Sequence, residues 1–185
     1  MEQAPLYVLV GPSGVGKGTV LSRLLADHPD VVLSVSATTR SPRPGETEGE
    51  HYFFVDDQEF DDLIAKDRLL EWAVVHGNHR YGTPVSWVQE QQRLGRTAVL
   101  EVDVEGARQV AKRMPEAKII FLAPPSWEEL ESRLRGRGTE SEAELEARLR
   151  TARTELAAAK EFDEVLVNAE VNSTAQQLAR LMQLN

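Results

Sequence analysis

The sequence contains no cysteine. That absence removes disulfides and thiolate metal sites together, and it fits a reducing compartment. Long apolar runs are missing too. No stretch approaches the roughly 20 residues that span a bilayer, and Met1-Glu2-Gln3-Ala4-Pro5 lacks the basic flank of a signal peptide. The expectation is a soluble, cytoplasmic protein with no membrane partner. Positive charge is also scarce, with 21 Lys and Arg against 30 Asp and Glu, a net charge of −9. A general nucleic-acid binder carries a basic face, so no nucleic-acid partner is expected. Neither internal repeats nor low-complexity linkers interrupt the chain.

What remains is 185 residues, 41% of them hydrophobic, enough for one domain with a packed core. Apolar runs of strand length alternate with helical patterns. Leu6–Val10 is continuously apolar and ends at Gly11, as a strand buried on both faces would. A helix is predicted from Lys17 to Ala26, with Val20, Leu21, Leu24 and Leu25 on its apolar face. Further strands are predicted at Val31–Val35, Ala98–Val102, Ile119–Leu122 and Val165–Val167. The alternation implies an α/β fold with a parallel central sheet.

Two Ser-x-x-Glu boxes, Ser126 with Glu129 and Ser141 with Glu144, mark helix starts; the second opens a helix running to Lys160. Between them Arg135-Gly136-Arg137-Gly138-Thr139 reads as a hinge or the tip of a moving segment. Residues 36–88 differ. They are rich in Gly, Pro, Thr and aromatics, with β-like runs at Tyr52–Val55 and Leu69–Val75, and read as a mostly β insertion.

Gly11-Pro12-Ser13-Gly14-Val15-Gly16-Lys17-Gly18-Thr19 lies between a predicted strand and a predicted helix, the context a phosphate-binding loop requires. Its backbone amides can curl around phosphate oxygens; the helix N-terminus adds partial positive charge and Lys17 a full one. Gly18 stands where the strict pattern has Ser or Thr, so the loop offers no obvious direct magnesium ligand and no protein metal ligand is assigned. The loop specifies a nucleoside triphosphate and leaves the acceptor open.

The acceptor chemistry is carried by other blocks. Arg40 and Arg43, bracketing Ser41-Pro42, offer two forked donors suited to a phosphate dianion; taken alone they read equally as a solvated turn. Glu71 interrupts the apolar run Leu69–Val75, where a carboxylate is costly unless paired; by itself it reads equally as an outward-facing strand residue. In order and spacing, Ser34–Glu46, Gly49–Phe54, Glu71-Trp72-Ala73, Tyr81-Gly82-Thr83, Leu100–Gly106 and Arg135–Thr139 resemble the guanylate kinase family, from about Pro5 to Leu184.

That resemblance implies a phosphate-loop three-layer fold and transfer of the γ-phosphoryl group of ATP to GMP. It divides one domain, 5–185, into a core (5–35, 95–125 and 160–185), a GMP-binding region (36–90) and a helical lid (126–158). It implies that the loop residues Gly11 to Thr19, with Asn168, bind ATP. GMP would be held by Ser36, Arg40, Arg43, Tyr52, Glu71, Tyr81, Thr83 and Asp103, with Glu71 reading the N1–H and N2 amino group of guanine. The charged groups of catalysis would be Lys17, Arg40, Arg43 and the lid arginines Arg133, Arg137 and Arg148. Magnesium would arrive with ATP, and dGMP is a further candidate acceptor.

The GMP phosphate is already an anionic nucleophile, so no general base is assigned; alignment and charge neutralisation suffice. Two departures stand out. His79 and Arg80 both lie between Gly77-Asn78 and Tyr81-Gly82, one residue more than the family commonly has, and both read as solvated loop residues. Ala169-Glu170 replaces the more usual acidic pair after Asn168. An adenylate kinase is one rival reading, but its acceptor region is mainly helical where this one is β-like. A phosphopeptide-binding scaffold domain is the other, but such domains typically lose the working loop, whereas Gly16-Lys17 is intact here.

Overall fold

The computed structural model describes residues 4–75, 78–136 and 141–184. In chain order the elements are β1 (Leu6–Val10), α1 (Lys17–Asp27), β2 (Val32–Leu33), β3 (Ser36–Thr38), β4 (Tyr52–Phe54), α2 (Asp57–Ala65), β5 (Leu69–Val75), β6 (His79–Pro84), α3 (Val85–Arg93), β7 (Ala98–Val102), α4 (Val104–Arg113), β8 (Lys118–Ala123), α5 (Trp127–Arg135), α6 (Glu142–Ala157), a 3₁₀ turn (Ala158–Glu161), β9 (Glu164–Val167) and α7 (Val171–Leu181).

Five strands form a parallel sheet in the order β2-β7-β1-β8-β9. β1 lies at its centre, which explains its unbroken apolar run. Tyr7 and Leu9 face a layer made by α1, α5, α6 and α7, while Leu6, Val8 and Val10 face α3 and α4. This is an α/β fold of three layers, with the phosphate-loop sequence at the carboxyl end of the central strand. Among the described residues no helix is long and apolar enough to cross a membrane.

A second, mixed sheet, β4-β3-β6-β5, is built from the insertion. β3 and β4 are parallel, and β6 runs antiparallel to both β3 and β5. Its small core joins Ala37, Phe60 and Leu69 to Phe53 and Trp72.

Several sequence expectations need correction. The strand predicted at Val31–Val35 pairs in the main sheet only at Val32–Leu33, because the chain then crosses to the second sheet. The insertion, read as mostly β, also carries a helix, with Phe60, Leu63 and Ile64 at helical spacing on its apolar face. α2 buries only Phe60 fully, yet it has a complete capping box in which Asp56 and Glu59 bond each other's backbone amides. Ser126 forms only half of its box: it accepts from the Glu129 amide, while the Glu129 carboxylate pairs with Arg133. Ser141 and Glu144 form both halves. The long helix gives way to a 3₁₀ turn after Ala157.

Candidate active site

The loop from Gly11 to Thr19 leaves β1 and enters α1 with no side chain capping the helix. The first-turn amides therefore remain open to an anion. Gly16, the N-cap, has φ 99°, and a Cβ there would meet the Asn168 amide nitrogen at 2.7 Å. Glycine is needed twice over, for the left-handed turn and for the close approach. The Lys17 ammonium donates to the carbonyls of Gly11 (2.6 Å) and Pro12 (3.4 Å), which folds it back over the loop. Burial lowers its pKa, opposed by the charges of Glu101, Glu155 and Asp103.

A cavity of about 890 Å³ opens on this loop. Its walls include Ser13, Lys17, Thr19, Glu101, Asp103, Arg133, Glu155 and Asn168. Two of the loop's side chains are buried. The Val15 side chain is packed in the core, and its carbonyl accepts from Asn168 Nδ2 (2.9 Å) and Arg133 (3.3 Å); Pro12 is buried and offers only its carbonyl to Lys17. Asn168 is 3% exposed, and its Oδ1 has no hydrogen-bond partner. A buried acceptor left open at the rim of a cavity suits a ligand donor. Arg148 reaches the loop from α6, its guanidinium donating to Ser13 Oγ at 3.1 Å. Arg137 lies outside the described residues.

The second sheet arranges the acceptor set by strand pairing. Tyr52 is paired with Ser36, and Glu71 with Thr83. The register that joins Ala37 to Gly82 and Thr38 to Tyr81 carries Ser36 on to Thr83. Directly opposed residues share a face, so Tyr52, Ser36, Thr83 and Glu71 form one row across four strands. At one end Glu71 is 7% exposed, and its Oε1 accepts from the Thr83 hydroxyl at 2.7 Å. Burial raises its pKa, with the nearby charge of Asp103 adding to the effect, against the Thr83 hydrogen bond. Gly106 permits this approach, since a Cβ there would stand 3.1 Å from Glu71 Oε2. Asp103 caps α4, accepting from the Gly106 amide at 2.7 Å.

At the other end Arg40, 9% exposed, is fixed by three bonds: Nε to the Tyr81 hydroxyl (3.2 Å), one amino group to the Ser41 carbonyl (2.8 Å), the other to Glu46 (2.8 Å). Its guanidinium carbon lies 5.3 Å from the Tyr52 ring centroid. Three of five N–H donors are used, and two remain for a ligand. Arg43 is exposed; its backbone amide bonds the other Glu46 oxygen at 2.8 Å. Of the acceptor set, Asp103 also lines the cavity on the phosphate loop, and the others do not.

Four positions went unnoticed in the sequence. Glu46 organises both arginines, and only its place three residues after Arg43 hints at this. Glu101 and Glu155 line the loop cavity. Gln109 clamps β5 next to Glu71, exchanging two 3.0 Å hydrogen bonds with the Trp72 backbone. Arg80 is a correction. The extra residue lengthens β6, so Val74 pairs with Arg80 and Val75 with His79. Arg80 is not a solvated loop residue: it lies over the Phe60 ring and pairs with Asp57 and Asp61 on α2. His79, exposed, begins the strand.

A parallel sheet whose central strand runs through a glycine- and lysine-bearing loop into an uncapped helix defines the class: an α/β phosphate-loop kinase fold. The guanylate kinase family model matches residues 3–185. The chain is 57% identical to the guanylate kinase of Streptomyces coelicolor over 176 residues, covering 95% of this chain and 89% of the relative. It is 54% identical to that of Synechococcus elongatus, covering 94% of each. A crystal structure of guanylate kinase from Anaplasma phagocytophilum superposes with a TM-score of 0.74 at 32% identity, covering 98% of this chain and 85% of that one. The chain belongs to the guanylate kinase family.

Proposed function

We propose that this protein transfers the γ-phosphoryl group of ATP in line to the phosphate of GMP, giving ADP and GDP, by alignment and charge neutralisation without a general base. Family membership makes it an ATP:GMP phosphotransferase; the residue roles rest on the site's geometry. The observation that carries the reading is the buried Glu71–Thr83 pair, set on one sheet surface beside a separate phosphate loop. A carboxylate held there accepts from guanine N1–H and N2 together, whereas adenine would leave it facing a lone pair.

In this scheme Lys17 and the loop amides hold the β- and γ-phosphates, and Asn168 Oδ1 accepts from the adenine amino group. Arg40, Arg43, Tyr52 and Tyr81 grip the GMP phosphate. Ser36, Thr83 and Asp103 support Glu71 at the base. Residues 36–90 act as the acceptor module and 126–158 as the lid, with Arg133, Arg137 and Arg148 meeting charge on the transferring group. Such arginines are worth about 10³–10⁵ in rate in related transfers.

Among the described residues no group of three acidic or histidine side chains could hold a metal ion by itself. Glu101 and Asp103, lining the cavity, suit the hydrogen-bonded water shell of a magnesium ion carried in by the nucleotide. Bound so, the ion would supply charge neutralisation at the β- and γ-phosphates. A cytoplasmic location suits an enzyme that works on soluble nucleotides, and dGMP is a second acceptor to try.

The test is ADP formation from Mg·ATP with GMP, dGMP, AMP, CMP and UMP in parallel. Turnover confined to the guanine nucleotides is the expected result, with slow ATP hydrolysis when no acceptor is present. Equally fast hydrolysis without acceptor would sink the requirement for both substrates, and GMP binding without turnover would favour the binding-module reading.

A further inference from the structure

Glu155 has no part in the scheme above, yet it occupies a costly place. It lies on α6 seven residues after Arg148, two helical turns along the same face. Both side chains come to the phosphate loop: Arg148 bonds Ser13, and Glu155 lines the cavity with Ser13 and Lys17. Between them Leu149 and Ala152 are buried in the main core, so helix packing dictates where Glu155 sits. Its Oε2 is shut off from solvent and has no hydrogen-bond partner. Of the three carboxylates that line the cavity (Glu101, Asp103 and Glu155), it alone has such an oxygen among the described residues.

A carboxylate oxygen buried without a partner opposes folding. What offsets it here is the neighbourhood: the Lys17 charge and the Ser13 backbone amide both favour the ionised form, while burial raises the carboxyl pKa. Those same groups belong to the anion site of the loop. A triphosphate entering that site brings several negative charges against a carboxylate that the helix cannot simply release to water.

We propose that Glu155 is a positioning residue of the donor site, the resting counter-charge of the phosphate loop, which an incoming triphosphate must displace. The inference rests on the reading of the loop as the ATP site. Glu155 and Arg148 ride on one helix, so the repulsion that loosens Glu155 acts on the element that carries a lid arginine. The carboxylate thus weakens binding in the open enzyme and spends part of the nucleotide's binding energy on moving α6.

Calorimetric titration with tripolyphosphate, and separately with Mg·ATP in the absence of GMP, tests this on the wild-type protein and on Glu155→Gln, Glu155→Ala and Glu155→Asp. Both neutral variants should bind tripolyphosphate roughly tenfold more tightly, the order expected for removing one nearby like charge. Glu155→Asp should stay near wild type, and GMP affinity should be the same in all four. A gain in affinity is a result that a merely structural role would not produce. Equal or weaker binding by the neutral variants, with unchanged GMP affinity, would overturn the proposal. Loss of folding in both would overturn it too, since Glu155 would then serve the fold. Failure of the wild-type protein to bind either ligand would instead remove the donor-site reading, and this inference with it.

Discussion

Thr83 donates its hydroxyl to Glu71 across 2.7 Å, and both side chains are closed off from solvent. The bond fills one lone pair of Oε1 and holds the carboxylate edge in the plane of the sheet row. It also opposes the rise in pKa that burial causes.

On the proposed reading, guanine recognition needs Glu71 ionised, and its raised pKa sets where that is lost. As pH falls through that value the carboxyl gains a proton and one acceptor disappears. The acid limb of kcat/KM for GMP is therefore expected above the ordinary 4.5 of a glutamate. Thr83→Val removes a contribution that lowers the pKa, so it should move the limb further up. Glu71→Gln should cost about 10²–10⁴-fold in kcat/KM for GMP and narrow the preference over AMP. Rate profiles of the three proteins check this; an unmoved limb in Thr83→Val would exclude Glu71 as its source.

Glu46 should matter as much to GMP binding as the arginines it holds. The Arg40 hydrogen bond and then the Arg43 backbone amide keep its carboxyl below the usual range. Glu46→Ala is expected to raise KM for GMP about tenfold with a smaller change in kcat, because Arg40 must then be ordered at each binding event. Steady-state kinetics with GMP varied separates this from a competitor role, in which KM would fall.

Arg148→Ala removes a charge that reaches the phosphate loop from α6, the proposed lid helix. A loss of about 10³ in kcat is expected, with KM for GMP nearly unchanged, as for an interaction realised in the transition state. A change confined to KM would reassign Arg148 to ground-state binding.

Burial raises the carboxyl pKa of both Glu71 and Glu155, so the folded chain holds their protons more tightly than the unfolded chain does. Their contribution to stability accordingly falls as pH rises from about the unperturbed 4.5 through the raised values. Glu71→Gln should be more stable than wild type at neutral pH by about 0.5–2 kcal/mol, and the two should converge below pH 4.5. Chemical denaturation across that range measures it; a less stable Glu71→Gln at neutral pH would show that the ionised carboxylate stabilises the fold.

The sequence reveals most where one local pattern decides the outcome. β1 reads correctly because burial on two faces demands apolar residues at every position, and the loop reads because its glycines and Lys17 are contiguous. α2 was missed although Phe60, Leu63 and Ile64 stand at helical spacing and pack into the small core, because the segment lies between two β-like runs. Arg80 misled for a different reason: whether an extra residue swells a loop or lengthens a strand depends on whether it pairs with Val74 across the hairpin, which the loop's own composition does not show. Glu155 and Gln109 were invisible because each acquires meaning only from a partner on a distant element, Lys17 or Trp72. Roles carried by contiguous motifs are legible; roles created by packing are not.

The row Tyr52–Ser36–Thr83–Glu71 is held by backbone bonds between strands from two separate stretches of chain. Three strand spacings, about 14 Å, separate its ends, so on the proposed roles the sheet would act as a ruler between phosphate grip and base reader. A slip of β6 by one residue would turn Thr83 and Tyr81 to the opposite face and disable both ends together. On the proposed roles, a slipped β6 would lose both GMP contacts at once. Acceptor binding reports correct assembly of the sheet.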